Sequence, residues 1–243
     1  MPTLERRATC SANSPCFATY PMAKAGKMLA SRQANANYIF MTMADGKINI
    51  GVLGSGKGTN FQAIARTIQA GGLNARLACV LSNIPDAIIL ERARALGIPA
   101  EYIDPAPFKT KLDGEAERKV IERLRHYGVE LVVLAGFMMI IKQRLLQAYQ
   151  RRIINIHPAL LPAFPGLDAW KQALNAGTKT TGCTVHYVDE GMDTGPIILQ
   201  RTVAISADDT PETLHARIQE QEYIAYPAAL KLVIKQLNGK TNK

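Results

Sequence analysis

From Ile48 onward the chain alternates short apolar runs with amphipathic segments, and that alternation restricts the architectures open to it. Ile48–Leu53 reads as an apolar strand, followed by the glycine-rich loop Gly54-Ser55-Gly56-Lys57-Gly58-Thr59-Asn60 and a helix from about Phe61 to Ala70. Ala75–Ser82 reads as a second strand and Asp86–Leu96 as a helix closed by Gly97 and Pro99. Ala100–Ile103 is a short strand, and Glu115–Tyr127 a helix closed by Gly128. Leu131-Val132-Val133-Leu134-Ala135 is apolar at every position, which predicts a strand covered on both faces. A helix over Lys142–Ala148, a strand over Ile153–His157 and a helix over Ala169–Ala176 follow. Thr181–Val188 and Ile197–Ile205 read as antiparallel strands, and Thr210–Leu237 as a long helical region interrupted near Pro227. Such alternation, joined by right-handed crossovers, predicts an α/β fold: a doubly wound, mostly parallel sheet with an antiparallel addition and a C-terminal helix.

Residues 1–46 break this pattern. They are rich in Ala, Ser, Asn and Met and hold no sustained helical or strand period. They read first as a disordered extension or an upstream-start artefact, since Met41 and Met43 stand just before the first strand. A transit peptide is the second reading, because the segment is basic and poor in acids, and a secretory signal the weakest, for want of an apolar centre. The domain therefore runs over 48–243. Of the net charge of +9, +4 lies in residues 1–47, with six Lys/Arg against two acids, and +5 in the remainder. That diffuse excess suits an anionic small molecule rather than a nucleic acid, which calls for a clustered basic patch. No apolar run approaches the roughly 18 residues of a membrane span. Cys10, Cys16, Cys79 and Cys183 lack Cys-x-x-Cys spacing and read as free thiols in a reducing compartment, the cytoplasm.

The chemistry concentrates in Asn155-Ile156-His157-Pro158-Ala159-Leu160-Leu161-Pro162 and in Asp193-Thr194-Gly195-Pro196. On a strand, Asn155 and His157 share a face. An amide beside a titratable ring is what acyl transfer requires: the amide steadies a developing oxyanion, and the ring moves protons near neutral pH. Asp193 is the carboxylate expected to orient that ring and raise its pKa; a ring held protonated would add a second, charged donor. No His/Cys cluster offers a metal site. His186 alternates within a strand and reads as core or as a residue behind the site, His126 and His215 as solvated helix residues, and Trp170 as loop packing.

The glycine loop follows a strand and opens a helix, where backbone N–H groups and the helix dipole favour an anion. It admits a competing reading, because Gly51 through Thr59 also matches the glycine-rich loop of adenylate-kinase-like phosphotransferases. Against that stands Leu131–Ala135, which runs into Gly136-Phe137 with no carboxylate to hold Mg²⁺. A dinucleotide site is weaker still, since Ser82-Asn83 stands where an acidic ribose ligand belongs.

Taken together, Gly54–Asn60, Leu134-Ala135-Gly136-Phe137-Met138, Asn155–Pro162, Thr181-Gly182-Cys183-Thr184-Val185-His186 and Asp193-Thr194-Gly195-Pro196-Ile197-Ile198-x-Gln200 resemble the phosphoribosylglycinamide formyltransferases, over residues 48–237 in order. The resemblance implies a Rossmann-like domain that moves a formyl group from 10-formyltetrahydrofolate to glycinamide ribonucleotide in purine biosynthesis. It implies Asn155, His157 and Asp193 as the catalytic trio, and Gly58, Thr59, Asn60, Gln219 and Glu222 against the ribonucleotide. Lys111, the segment Met138, Met139, Ile140 and Ile141, and the segment Asp189, Glu190, Gly191, Met192 and Asp193, with Asn155, would face the folate. It further implies a cis Leu161–Pro162 bond, small-molecule partners only, a monomer or homodimer, and no metal. Two departures stand out: Met139 replaces a common Arg, and Asp168-Ala169-Trp170 replaces the histidines that often follow Pro-Gly. Near neighbours, methionyl-tRNA formyltransferase and formyltetrahydrofolate hydrolase, share Asn-x-His and the distant Asp. They are set aside on the expectation that each needs a further domain that 243 residues do not supply.

Overall fold

The computed structural model describes residues 46–241, with side chains to 239. The expectations for residues 1–45, including Cys10 and Cys16, fall outside the described residues. Seven strands form one sheet in the order β3-β2-β1-β4-β5-β6-β7. They are β1 (Ile48–Leu53), β2 (Ala75–Ser82), β3 (Ala100–Tyr102), β4 (Leu131–Leu134), β5 (Ile153–His157), β6 (Thr180–Tyr187) and β7 (Ile197–Ala204). The helices are α1 (Thr59–Gln69), α2 (Ile88–Ala95), α3 (Gly114–His126), α4 (Gln143–Ala148), α5 (Ala169–Asn175) and α6 (Pro211–Thr241). β1 through β5 pair in parallel, while β6 and β7 pair antiparallel.

The burial pattern explains the layering. β1 and β4 are buried at every residue, as strands covered on both faces must be. One core joins the sheet to Phe61 and Ile64 of α1, Ile89 and Leu90 of α2, and Leu214, Ala229 and Leu230 of α6. The other joins it to Ala116, Val120 and Leu124 of α3 and Leu145 of α4. The short helix α4 is held from outside itself: the buried Glu117 carboxylate on α3 accepts the Leu145 N–H at 3.0 Å.

One expectation fails. Pro227 does not interrupt the terminal helix, which runs unbroken from Pro211 to Thr241. Proline removes one intrahelical donor, but Ala225, Tyr226, Ala229 and Leu230 around it are fully buried. The Tyr226 hydroxyl also lies 2.8 Å and 2.9 Å from the Leu134 and Ile154 carbonyls. Tertiary packing on the sheet keeps that turn helical where propensity alone argues for a break.

β1 lies between β2, reached through α1, and β4, reached after β3. The chain therefore reverses its direction of travel between β1 and β4, the kind of crevice where open α/β sheets bind ligands.

Candidate active site

The glycine loop closes over the carboxyl end of β1. Gly58 stands at φ 70°, and a Cβ there would meet Ile89 at 2.5 Å, so only glycine both takes this backbone and fits against α2. The chain then enters α1 with Thr59 and Asn60, whose backbone N–H groups open the helix. The buried Asn60 amide donates to Glu222 Oε2 of α6 at 2.8 Å, across 162 residues of sequence. Asn60 Oδ1 is buried without a partner. Burial pushes the Glu222 carboxyl up to about 7, and the single Asn60 donor only partly opposes this. Gln219 lies one turn earlier on α6, with Nε2 3.4 Å from the His215 ring.

Asn155 and His157 share a face of β5, and His186 of β6 is the direct cross-strand partner of Asn155. The β6–β7 loop folds back over this face and carries Asp193 in the left-handed region, at φ 57°, which aspartate tolerates better than most residues. Gly195 lets that loop close, since a Cβ there would stand 1.8 Å from the Tyr187 carbonyl. One Asp193 oxygen lies 3.2 Å from His157 Nδ1 and the other 3.6 Å from His186 Nε2. Asp193 also accepts the Gly166 N–H at 2.9 Å. Burial alone would raise this carboxyl; the His186 contact, the Gly166 N–H and the charge of both imidazoles outweigh it, and Asp193 sits below the ordinary carboxylate value.

His157 is 3% exposed. Its Nε2 lies 2.8 Å from the Phe164 carbonyl, so the ring stands between two acceptors. A neutral imidazole has one proton to offer them and an imidazolium has two. Burial nevertheless prevails over Asp193 and the Phe164 carbonyl, and the His157 pKa falls below the ordinary histidine value. Asp193 raises the His157 pKa, as a neighbouring carboxylate should, but desolvation of the charged form is the larger effect in the free protein.

His186 emerges as part of this group. Its Nδ1 lies 2.9 Å from the Tyr187 carbonyl, and its Nε2 faces both the Asn155 amide at 3.3 Å and an Asp193 oxygen at 3.6 Å. The Asn155 amide carries two N–H donors, and this contact engages at most one of them. The signal in the sequence was the alternation of His186 within a strand; the β5/β6 register that sets it opposite Asn155 comes from the fold. A second correction concerns His215, which is not solvated: it is half-buried and stacked on Trp170, with ring centroids 3.8 Å apart and planes 1° from parallel. Burial lowers its pKa. His126 is exposed, while Cys79 and Cys183 are buried free thiols.

The residues expected against the folate divide. Met138 and Ile140 are exposed, at 62% and 45%, whereas Met139 and Ile141 turn into the core at 5% each. The latter pair offer a ligand backbone and not side chain, which is compatible with Met139 in place of Arg. The Lys111 backbone forms an isolated parallel bridge with Ile140, while its ammonium bonds Asp113 at 2.9 Å and lies over the Phe108 ring. In the β6–β7 loop, Asp189 accepts from Thr194 Oγ1 at 2.7 Å and from the Gly191 N–H at 3.1 Å, while Glu190, Gly191 and Met192 are exposed. Leu161–Pro162 is cis, and so is Ala106–Pro107. Among the described residues no cluster of His, Cys, Asp and Glu is placed to hold a metal ion, and no helix is long and apolar enough to cross a membrane. A cavity of about 600 Å³ opens between α3 and α4, lined by Arg118, Arg125, Arg144 and Gln147 among others; none of the cleft residues lines it.

The pattern of the formyl transferase family matches residues 48–230. The chain belongs to the formyl transferase family. It is 48% identical to phosphoribosylglycinamide formyltransferase of Bacillus subtilis (strain 168), over 79% of this chain and 95% of that one. It is 42% identical to the trifunctional purine biosynthetic protein adenosine-3 of Drosophila melanogaster, over 76% of this chain but 14% of that longer protein. The crystal structure of glycinamide ribonucleotide transformylase 1 from Symbiobacterium toebii superposes with a TM-score of 0.75 at 47% identity, over 79% of this chain and 89% of that one. As a formyl transferase the chain has a Rossmann-like, mostly parallel sheet with antiparallel strands toward its C terminus. The phosphotransferase reading of the glycine loop finds no support: Lys57 is exposed, and the match places the whole loop within a formyl transferase domain.

Proposed function

We propose that this formyl transferase moves the formyl group of 10-formyltetrahydrofolate to the amine of glycinamide ribonucleotide, a step of de novo purine biosynthesis. The observation that carries the reading is the meeting of an amide, an imidazole and a carboxylate, Asn155, His157 and Asp193, at one cleft beside an anion-ready loop. The ribonucleotide phosphate sits at Gly58, Thr59 and Asn60, with Gln219 and Glu222 toward its sugar and amine. The folate lies along Met138–Ile141 and Asp189–Asp193, with Lys111 near it. The enzyme acts in the cytoplasm, as a monomer or homodimer, on small molecules and without a metal.

The amine attacks the formyl carbon and an oxyanion develops. Asn155, held by His186, donates its free N–H to that oxygen; one such donor is worth about 2.7–4 kcal/mol of barrier. The proton released by the attacking amine must reach the leaving nitrogen of the folate. A neutral His157, as burial favours, accepts it and becomes an imidazolium facing Asp193. Proton exchange through Nε2 requires the Phe164 carbonyl to give way, since it occupies that nitrogen at 2.8 Å.

The deciding assay offers the protein glycinamide ribonucleotide with 10-formyltetrahydrofolate, and separately ATP with AMP. Formyl transfer in the first mixture alone is expected. Phosphoryl transfer that depends on Mg²⁺ and Lys57 and survives His157→Ala would overturn the proposal.

A further inference from the structure

Ser55 and Asn83 have no part in the scheme above, yet they join its two halves. The Ser55 hydroxyl donates to Asn83 Oδ1 at 2.6 Å and accepts the Met138 N–H at 2.8 Å. The Ser55 N–H donates to the Gly136 carbonyl at 3.0 Å. Ser55 follows β1, Asn83 follows β2, and Gly136 and Met138 follow β4. One serine thus links the carboxyl ends of three neighbouring strands across the point where the sheet reverses its winding. It also stands three residues before Gly58, in the loop read as the phosphate site, and fixes the first residue of the segment read as a folate wall.

We infer that Ser55, oriented by Asn83, is a positioning residue that sets the Met138–Ile141 segment relative to the glycine loop, and so couples the donor and acceptor subsites. This rests on the formyltransferase reading for the identity of the two ligands, but not for the linkage itself. The chemistry favours a hydroxyl here. It is the smallest side chain that donates and accepts at once. Asn83 Oδ1 takes its proton, which turns the lone pairs toward Met138. Without the hydroxyl, water can accept the exposed Met138 N–H, so little stability is lost, but water does not tie that N–H to the end of β2. The consequence falls on placement.

Two measurements test this on the full-length protein. Hydrogen exchange reads the linkage without any substrate: Ser55→Ala is expected to accelerate exchange over residues 136–141, and Ser55→Thr, which keeps a hydroxyl, to restore it. Steady-state kinetics reads the coupling: Ser55→Ala is expected to raise the KM of the formyl donor about fivefold, the factor a single hydrogen bond is worth, with a smaller rise for the ribonucleotide and less than a twofold fall in kcat. Asn83→Ala should reproduce part of this rise and add nothing to Ser55→Ala, because both act through one bond chain. Unaltered exchange in Ser55→Ala, or equal rises in both KM values that Ser55→Thr fails to reverse, overturns the inference. Absence of formyl transfer in the unmodified protein would sink the functional reading instead, and the exchange data separate the two failures.

Discussion

The cleft holds two carboxyl groups, a half-buried Asp193 and a buried Glu222, that their surroundings push in opposite directions. Asp193 meets two imidazoles and a backbone N–H and is drawn below the usual carboxylate value. Glu222 meets a single amide and is pushed up to about 7. Both are desolvated, so burial alone does not decide the charge; the number and sign of the partners do. The difference separates two roles. A carboxylate that stays ionised can orient a ring and stabilise its charge. A carboxyl group that titrates near neutrality can both donate and accept, which suits a group facing sugar hydroxyls.

The largest expected effect lies on the ionised side. His157→Ala should lower kcat by about 10²–10⁴-fold, the range of lost acid–base catalysis, with a modest change in KM. A variant within tenfold of the parent in steady-state assays would remove His157 from the chemistry. Asp193→Asn keeps the shape but removes a charge that raises the His157 pKa, so the His157 titration followed by NMR should move further down. The same titration unmoved would show that the carboxylate only orients the ring.

Glu222→Gln sharpens the other side. In the folded protein Glu222 keeps its proton up to about 7, against an ordinary 4.5, so between these values the folded state binds more protons than the unfolded one. Stability from this group is therefore full below the unfolded value and lost as pH rises through the folded one, by about 3 kcal/mol in all. Glutamine removes that dependence, and the Tm difference between variant and parent should grow in the variant's favour from pH 5 to pH 8. Asp193 has the opposite sign: its contribution is present above the unfolded value and fades as pH falls through the folded one. A Glu222→Gln difference curve that is flat from pH 5 to pH 8 would mean the two carboxyl groups are not distinguished as described.

Asn60→Ala leaves Glu222 without its donor, at a cost of about 1–3 kcal/mol, and should raise the ribonucleotide KM more than it lowers kcat, because the contact exists equally before and during reaction. A kcat loss that exceeds the KM change would move Asn60 into the chemical step. The smallest effect belongs to removal of residues 1–46. Every residue of the cleft lies beyond Ile48, and the exposed Asn74 amide would exchange its 3.1 Å bond to the Gly46 carbonyl for water. Activity should hold, and Tm should shift by no more than an exposed hydrogen bond allows, about 1 kcal/mol. An inactive or insoluble truncation would tie the extension to the domain.

The strand Ile153–His157 was legible to the residue, because an apolar–polar alternation ending in His-Pro leaves one register. The start of α5 at Ala169 was legible too, while the other five helix starts were off by one or two residues, where only cap geometry decides. Pro227 misled, since a local rule against proline in helices carries no information about the sheet beneath it. His215 misled for the same reason: its stacking partner, Trp170, comes from another element.

The order of strands and helices, the glycine at the entrance of α1, and the placement of Asn155 and His157 on one face follow from local periodicity and backbone sterics, which a linear sequence displays. The partners of Glu222 and Asp193, the anchoring of Asn155 by His186 and the protonation of His157 follow from atoms brought together across as many as 162 residues. The cost of a buried charge depends on which donors surround it, and only the folded chain selects them.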